Sequence, residues 1–354
     1  MNIAGAASAT RRVAQAIDAL RHGWAIALDG HLLLPAETAS GAAQSSHLLI
    51  SAARAATLKL ANQREAAAPE APVLIRAAEP FDLPAARAAA DPALDLATPL
   101  KGPFKAEALD WGEAAQAALE LARLAGILPA FLVAPHEAGE AVALAAADLA
   151  EWQNPAHLMI ATRARLPVAA ADTAEIVAFR SADDLREHVA LIIGRQHRAR
   201  APLVRLHSEC LTGDVLSSLK CDCGPQLDAA LAAMAAEATA GGWGVLLYLR
   251  QEGRGIGLVN KLRAYQLQDQ GFDTIDANTR LGLPAEARDF PVAARMLELL
   301  GVSEVRLMTN NPEKVAALSQ HGVTISERVP HALPANPHNH RYLATKRDRA
   351  GHIL

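Results

Sequence analysis

The chain has 354 residues, 51 % of them hydrophobic, with a formal net charge of −4 and three cysteines. That length suggests two domains of ordinary size, with enough apolar material for two cores. The charge offers no general basic field and argues against a nucleic-acid partner. No apolar run reaches the ~18 residues of a membrane span, and residues 1–10 lack the pattern of a signal peptide. A cytoplasmic protein with no membrane partner is expected.

In chain order, residues 8–22 read as a helix, because Val13, Ile17 and Leu20 recur at helical spacing. Residues 24–28 read as a short buried strand followed by an Asp29-Gly30 turn. Residues 113–125 form a second amphipathic helix with Gly126 as its C-terminal cap, and 127–133 a strand. The stretch 136–154 is open between helix and loop. In the second half, strands are expected at 176–179, 189–193, 203–206, 244–248 and 305–308, and helices at 226–238, 257–270 and 291–300. Strands alternating with helices predict a mixed α/β (α+β) fold. The tail after Pro330 is rich in His, Asn, Pro and charge, and is expected to be exposed and mobile.

Cys210, Cys221 and Cys223 lie within 14 residues. An odd, clustered set argues for metal or redox chemistry rather than a disulfide framework. The spacing Cys-x10-Cys-x-Cys allows three thiolates to reach one ion. Three ligands leave zinc an open position, the arrangement of a catalytic site. The same spacing admits a structural site closed by a fourth ligand such as His207, or three buried cysteines without metal.

Further polar clusters follow. The segment Arg250-Gln251-Glu252-Gly253-Arg254-Gly255 ends an apolar run and precedes a helix, where backbone N–H groups and arginine forks suit phosphate. The Glu252 carboxylate could accept the N1–H and amino hydrogens of guanine together, or pair with Arg250 or Arg254. Glu286-Ala287-Arg288-Asp289 places acids around an arginine, and Thr309-Asn310-Asn311-Pro312 closes a strand at a usual ligand position of α/β sheets. Each alone also reads as a solvated helix start.

Taken together these segments resemble the GTP cyclohydrolase II family. The matching strings are Arg205-Leu-His-Ser-Glu-Cys-Leu-Thr-Gly-Asp214, Cys221-Asp-Cys-Gly224, Arg250-Gln-Glu-Gly-Arg254, Asn260-Lys-Leu-Arg-Ala-Tyr265, Arg288-Asp289 and Thr309-Asn-Asn-Pro312. They span residues 164–354, which the resemblance marks as one domain with a mixed sheet and flanking helices. It implies hydrolysis of GTP to a diaminopyrimidinone ribosyl phosphate, formate and pyrophosphate, the entry step of riboflavin synthesis. It also implies Mg²⁺ on the triphosphate and a homodimer. Cys210, Cys221 and Cys223 match the zinc ligands, for one zinc per chain. Arg205, Leu206, His207, Ser208, Glu209, Gln226, Glu252, Gly253, Arg254, Thr274, Thr309 and Lys314 match GTP contacts. Tyr265, Glu286 and Arg288 match catalytic residues. Glu286 stands where the family has Asp, on a stem one methylene longer. Arg288 matches a residue assigned to attack phosphorus, yet a guanidinium has almost no neutral form at pH 7. Stabilising phosphoryl charge is the easier task for it.

Residues 1–163 resemble the dihydroxybutanone phosphate synthase domain often fused in front of this enzyme, on residues 12–28 and 118–127. The chemistry of that domain is missing. Its strand is followed by acidic magnesium ligands, whereas here the strand runs into Asp29-Gly30-His31-Leu32, and its later histidine is absent from Trp111-Gly112-Glu113-Ala114. The first domain is therefore read as non-catalytic. Two other readings of the whole chain are a paralogue that opens the ring but releases a formylated product or serves another pathway, and a nucleotide-binding regulator with a vestigial site. One outcome follows from the missing ligands. Ribulose 5-phosphate with saturating Mg²⁺ is expected to give no dihydroxybutanone phosphate, because Mg²⁺ chemistry needs oxygen ligands and a placed base. Product appearing at an enzymatic rate, followed by NMR, sinks that reading.

Overall fold

The computed structural model of the chain describes residues 3–135, 139–181, 186–197, 200–349 and 351–353. The chain forms two compact units: the first is Met1–Asn154 with Ile256–Glu286, the second Pro155–Gly255 with Ala287–Leu354. The boundary expected after residue 163 falls inside a strand, Leu158–Arg165, and the segment 256–286 joins the first unit rather than the second. Among the described residues, no helix is long and apolar enough to cross a membrane.

The first unit opens with a helix, Ile3–His22, that buries the expected stripe of Val13, Ile17 and Leu20. Its strands are β1 (Ala25–Leu28), β2 (His31–Pro35), β3 (Gln44–Ser45), β4 (His47–Ile50), β5 (Val73–Arg76), β6 (Phe81–Asp82), β7 (Lys105–Glu107), β8 (Ala130–Val133) and β9 (Ala141–Leu144). Seven of them form one sheet in the order β7-β5-β4-β8-β2-β1-β9, and β3 pairs with β6 apart from it. Asp29 and Gly30 make the two-residue hairpin between β1 and β2, with Leu28 opposite His31. Both have positive φ, 47° and 86°, which is what matches the turn to the twist of the strands. Trp24, expected in β1, is 56 % exposed and stacks on His22. The helix Gly112–Ala125 ends at Gly126 in the left-handed conformation, as its sequence requires. The open stretch 136–154 contains β9 and a short helix, Asp148–Trp152, while 136–138 lie outside the described residues. β9 is the uniformly apolar run Ala-Val-Ala-Leu, with no polar alternation to separate a strand from a helix, so periodicity does not find it.

The inserted segment 256–286 carries the helices Leu258–Asp269 and Thr274–Arg280. Arg263 grips Glu37 with two hydrogen bonds, 2.8 and 3.1 Å, and the same carboxylate accepts the Leu128 N–H at 2.6 Å. Gly282 has φ +76° and lies so close to the first unit's body that a Cβ there would stand 2.6 Å from Ser51 Oγ.

The second unit is built on β10 (Leu158–Arg165), β11 (Ala174–Ser181), β12 (His188–Ile193), β13 (Leu203–Ser208), β14 (Gly244–Leu249), β15 (Glu304–Met308) and β16 (Thr324–Val329). Their order is β10-β11-β12-β14-β13-β15-β16. The first four pair antiparallel, and β14, β13, β15 and β16 run parallel, which gives the mixed sheet expected. The helix Cys223–Thr239 packs Ala230 and Met234 on one face with Leu203 and Leu246. The helix Pro291–Leu299 packs Val292, Met296 and Leu297 with Val245 and Leu247 on the other. With helices on both faces, β14 reads as an unbroken apolar run. The five strands expected here all form. β10 and β16 were not expected: they are the sheet's two edges, and their largely exposed residues give no apolar alternation.

Glu37→Ala leaves the Leu128 N–H without its acceptor and the Arg263 guanidinium with Asn260 Oδ1 but no carboxylate. It is expected to cost about 2–3 kcal/mol in the first unit and to expose 256–286 to limited proteolysis. Unchanged urea midpoint and cleavage pattern would contradict the placement of this segment.

Candidate metal and anion site

β13, β14 and β15 are parallel neighbours, so the loops after them leave the same edge of the sheet. That edge is where α/β folds collect ligand groups. The loop after β13 carries Glu209 and Cys210, the loop after β14 carries Arg250–Arg254, and the loop after β15 carries Thr309–Asn311.

The first loop turns as a single wide helical turn, Leu211–Val215, and its Cys210 sulfur accepts the Gly213 N–H at 3.3 Å. The Asp214 carboxylate, 4 % exposed, faces back to the sheet. It receives His207 Nε2 at 3.0 Å, the Tyr248 hydroxyl at 2.9 Å and the Cys210 N–H at 3.1 Å. His207 stacks on Tyr248, and burial together with Asp214 raises the Tyr248 pKa. An ionised carboxylate accepts only, so His207 presents its Nε2–H to it.

Cys221 and Cys223 return beside Cys210, with Cys223 as the first residue of the helix Cys223–Thr239. The three sulfurs lie within 4.8 Å of one another, Cys210 and Cys221 at 3.7 Å. Sulfurs bound tetrahedrally to zinc at ~2.3 Å stand ~3.8 Å apart, so the donor set fits that ion. The helix start favours a thiolate at Cys223. Without a cation, hydrogen bonding to Cys210 and burial push the Cys221 and Cys223 thiols up. A dication is what allows such a set to ionise together. Gly213 is part of the cradle: a Cβ there would come 2.8 Å from Cys221 Sγ and 3.1 Å from Cys210 Sγ. Among the described residues, the metal-capable cluster consists of these three cysteines. His207 is engaged by Asp214, so the closed four-ligand site does not form around it.

Next to the sulfurs lies a cationic, hydrogen-bonding surface. Arg205 in β13 is buried, and burial lowers its pKa to about 10. It donates to the Met308 carbonyl at 3.2 Å and to Gln226 Oε1. Lys314 reaches the Leu206 carbonyl at 2.8 Å. Thr309 Oγ1 accepts the Asn311 N–H at 3.0 Å, and Asn311 caps the helix Pro312–Gln320. Glu209 pairs with Arg250 at 2.9 Å. Glu252 accepts the Leu211 N–H at 2.7 Å and the Gly253 N–H at 2.9 Å, tying the second loop to the first. Gly253 and Arg254 both have left-handed φ, 63° and 62°. For an arginine that backbone is costly, and such strain collects at ligand-binding loops. Gly255 admits no side chain, since a Cβ would meet the Ala287 carbonyl at 2.3 Å. The Ala287 N–H also donates to the Arg254 carbonyl at 3.1 Å, which brings Arg288 beside this loop, its guanidinium 5.2 Å from the Phe290 ring.

Four buried polar atoms here have no hydrogen-bond partner among the described residues: Arg205 Nε, Ser208 Oγ, Gln251 Oε1 and Asn310 Nδ2. Native interiors rarely leave such atoms unpaired. Arg205 and Ser208 lie on β13, and Gln251 and Asn310 in the loops after β14 and β15, positions from which they could meet a polar ligand. Arg205 and Ser208 are among the residues singled out from the sequence. Gln251, Asn310, Asp214 and Asp222 are not, although each lies in a string that was.

Three of the sequence-derived residues belong to the first unit. Tyr265 lies in the helix Leu258–Asp269, with Lys261 Nζ 5.7 Å from its ring centroid. Thr274 opens the next helix and accepts Gln268 Nε2 at 3.4 Å. Glu286 is the last residue of the inserted segment. Elsewhere in that unit, Asp29 accepts the Ala146 N–H at 3.2 Å and His31 stacks on Trp111.

The tail departs from expectation. Residues after Pro330 are not a loose end: a helix, His340–Arg349, forms, and His331 and Asn339 are buried. His331 Nε2 binds the Gln226 carbonyl at 2.9 Å, and burial lowers its pKa to about 4.

Comparison with known protein families matches residues 159–330 to GTP cyclohydrolase II. The GTP cyclohydrolase-2 of Azospirillum brasilense is 43 % identical over 98 % of this chain and 95 % of its own length. That of Azotobacter vinelandii is 59 % identical over 48 % of this chain and 79 % of its own length. The riboflavin biosynthesis protein RibBA of Nocardia farcinica is 48 % identical over 68 % of this chain and 62 % of its own length. A solved structure of RibBX, a two-domain 3,4-dihydroxy-2-butanone 4-phosphate synthase from A. baumannii, overlays at a TM-score of 0.30 and 18 % identity over 91 % of this chain and 99 % of that one, too little to argue from.

The cradle yields a test. Gly213→Ala is expected to lower bound zinc at least ~10-fold at limiting metal, by driving the sulfurs apart. Metal analysis after dialysis, with Cys221→Ser as the fully metal-free reference, measures it. Wild-type zinc in Gly213→Ala would refute the three-thiolate cradle.

Proposed function

Since the chain belongs to the GTP cyclohydrolase II family, we propose that its second unit hydrolyses GTP to the diaminopyrimidinone ribosyl phosphate, formate and pyrophosphate, at a single zinc held by Cys210, Cys221 and Cys223. It is a hydrolase of riboflavin biosynthesis. The observation that carries the detailed reading is the convergence of three mutually close thiols and four unpartnered polar atoms at the carboxyl ends of parallel strands.

Bound to the thiolates, zinc would supply Lewis acidity and make the attacking water more acidic. The remaining work belongs to side chains of this protein. Arg205, Arg254 and Lys314 hold the phosphates, with Mg²⁺ on the triphosphate. Arg288 stabilises charge at the phosphoryl group from which pyrophosphate leaves. Ser208, Thr309 and the Gly253 backbone orient the nucleotide, and Leu206, His207, Glu209 and Gln226 complete its surroundings. Glu252 reads guanine, whose two adjacent N–H donors suit a carboxylate that already accepts two N–H groups, 2.7 and 2.9 Å away. Tyr265 and Thr274 act on the base side, and Glu286 accepts a proton. Residues 1–154 then have a use apart from catalysis: they pack the segment 256–286, which carries Tyr265 and Thr274. The enzyme acts as a cytoplasmic homodimer.

Glu252→Gln replaces an acceptor-only group with one that presents a donor to guanine's donors. It is expected to lower kcat/KM for GTP by about 100-fold or more, with zinc content unchanged, since sites built around specific hydrogen bonds lose heavily when one fails. Formate release and pyrimidine absorbance follow it. Equal kinetics in the two proteins would reject the base assignment, and wild-type protein that releases no formate from GTP would reject the activity.

A further inference from the structure

The segment after Pro330 lies beyond residues 159–330, which match the family model, and it is fastened to the cysteine segment, to the helix that follows it and to the loop after β15. His331 donates its N–H to Asn310 Oδ1 at 2.9 Å and binds the Gln226 carbonyl through Nε2 at 2.9 Å. Asn339 Nδ2 reaches the Cys221 carbonyl at 3.5 Å, and the Ile353 N–H reaches the Asn310 carbonyl at 2.9 Å. From the helix His340–Arg349, Lys346 places Nζ 2.6 Å from Asp222 Oδ1. Their side chains are 12 % and 6 % exposed, and the Tyr342 ring centroid lies 4.4 Å from the ammonium.

Asp222 stands between two of the three cysteines. A buried carboxylate there, beside thiolates, needs a cation. Its other oxygen accepts Gln226 Nε2 at 2.5 Å, and Gln226 Oε1 accepts Arg205. The four side chains form one relay: Lys346, Asp222, Gln226, Arg205. Arg205 is also attracted electrostatically by Asp222. Remove the lysine, and Asp222 is left to draw on Arg205 instead, turning the guanidinium from the face where its Nε is unpartnered.

We propose that Lys346 is a positioning residue for the nucleotide: by neutralising Asp222 it keeps Gln226 and Arg205 aimed at the substrate, and it makes residues 331–349 a strap coupled to substrate binding. The proposal rests on the GTP-hydrolase reading above. Coupling is reciprocal. If the strap orders the nucleotide contacts, the nucleotide must steady the strap by the same free energy.

Two measurements on the zinc-loaded, full-length protein test it. The first compares wild type, Lys346→Met and Lys346→Arg in GTP turnover. Lys346→Met is expected to raise KM about 10-fold or more while kcat stays within ~3-fold and zinc content is unchanged, the pattern of lost binding rather than lost chemistry. Lys346→Arg, which keeps the cation, is expected to recover most of KM. The second follows hydrogen–deuterium exchange of the wild-type protein across residues 340–349, with and without α,β-methylene-GTP. Slower exchange with the nucleotide is expected. This arm decides alone if Lys346→Met does not fold. A KM within ~2-fold of wild type in Lys346→Met, loss of zinc and kcat together in that variant, or exchange indifferent to the nucleotide each overturns the proposal and leaves the enzyme's activity standing. Wild-type protein inert toward GTP overturns both.

Discussion

The carboxylate of Asp214 joins the cysteine loop to the sheet. It collects a donor from β13, a donor from β14 and the backbone N–H of Cys210. At 4 % exposure it cannot fall back on water, so losing any of the three donors leaves a buried anion short of partners. That constraint fixes where the loop turns. It also sets where His207 lies: the ring stacks on Tyr248 and faces the acid.

From that anchor the rest of the site follows by topology. Parallel β13, β14 and β15 send their loops off one edge, so segments far apart in sequence arrive together without long connections. Glycine is then needed at close approaches, Gly213 and Gly255 among them. At Gly213 the neighbours are the sulfurs themselves, and at Gly255 the neighbour is the Ala287 carbonyl. Both are places where backbone must come nearer than a methyl group allows.

The sequence carries this architecture unevenly. Strands buried on both faces, such as β13 and β14, and helices with a clean stripe, such as Ile3–His22, are readable because burial dictates residue type. The edge strands β10 and β16 face solvent along most of their length and look like loop. Cysteine spacing pointed to a metal, but it left His207 open as a fourth ligand; that its Nε2 faces Asp214 instead is visible only in space. Many residues of the tail are exposed, as expected, but its buried members escaped the reading because Asn, His and Lys are scored as solvent-loving. Here they are buried by specific partners: Asn339 by the Cys221 carbonyl, Lys346 by Asp222. Such pairings are between residues more than a hundred positions apart, and no local pattern records them. The same is true of the inserted segment, whose attachment to the first unit depends on Glu37 meeting Arg263.

That insertion has a consequence for how the chain comes to be folded. The first unit consists of residues 1–154 and 256–286, with about 100 residues of the second unit between its two pieces. Domains generally fold as units, the N-terminal one first during synthesis. Here the N-terminal unit emerges early and must wait, with Glu37 and the surface around Ser51 uncovered, until its last two helices have been made. The second unit waits in turn for strand β15 and the residues beyond it. Neither half can finish before most of the chain exists, so the two are bound in time as well as in sequence.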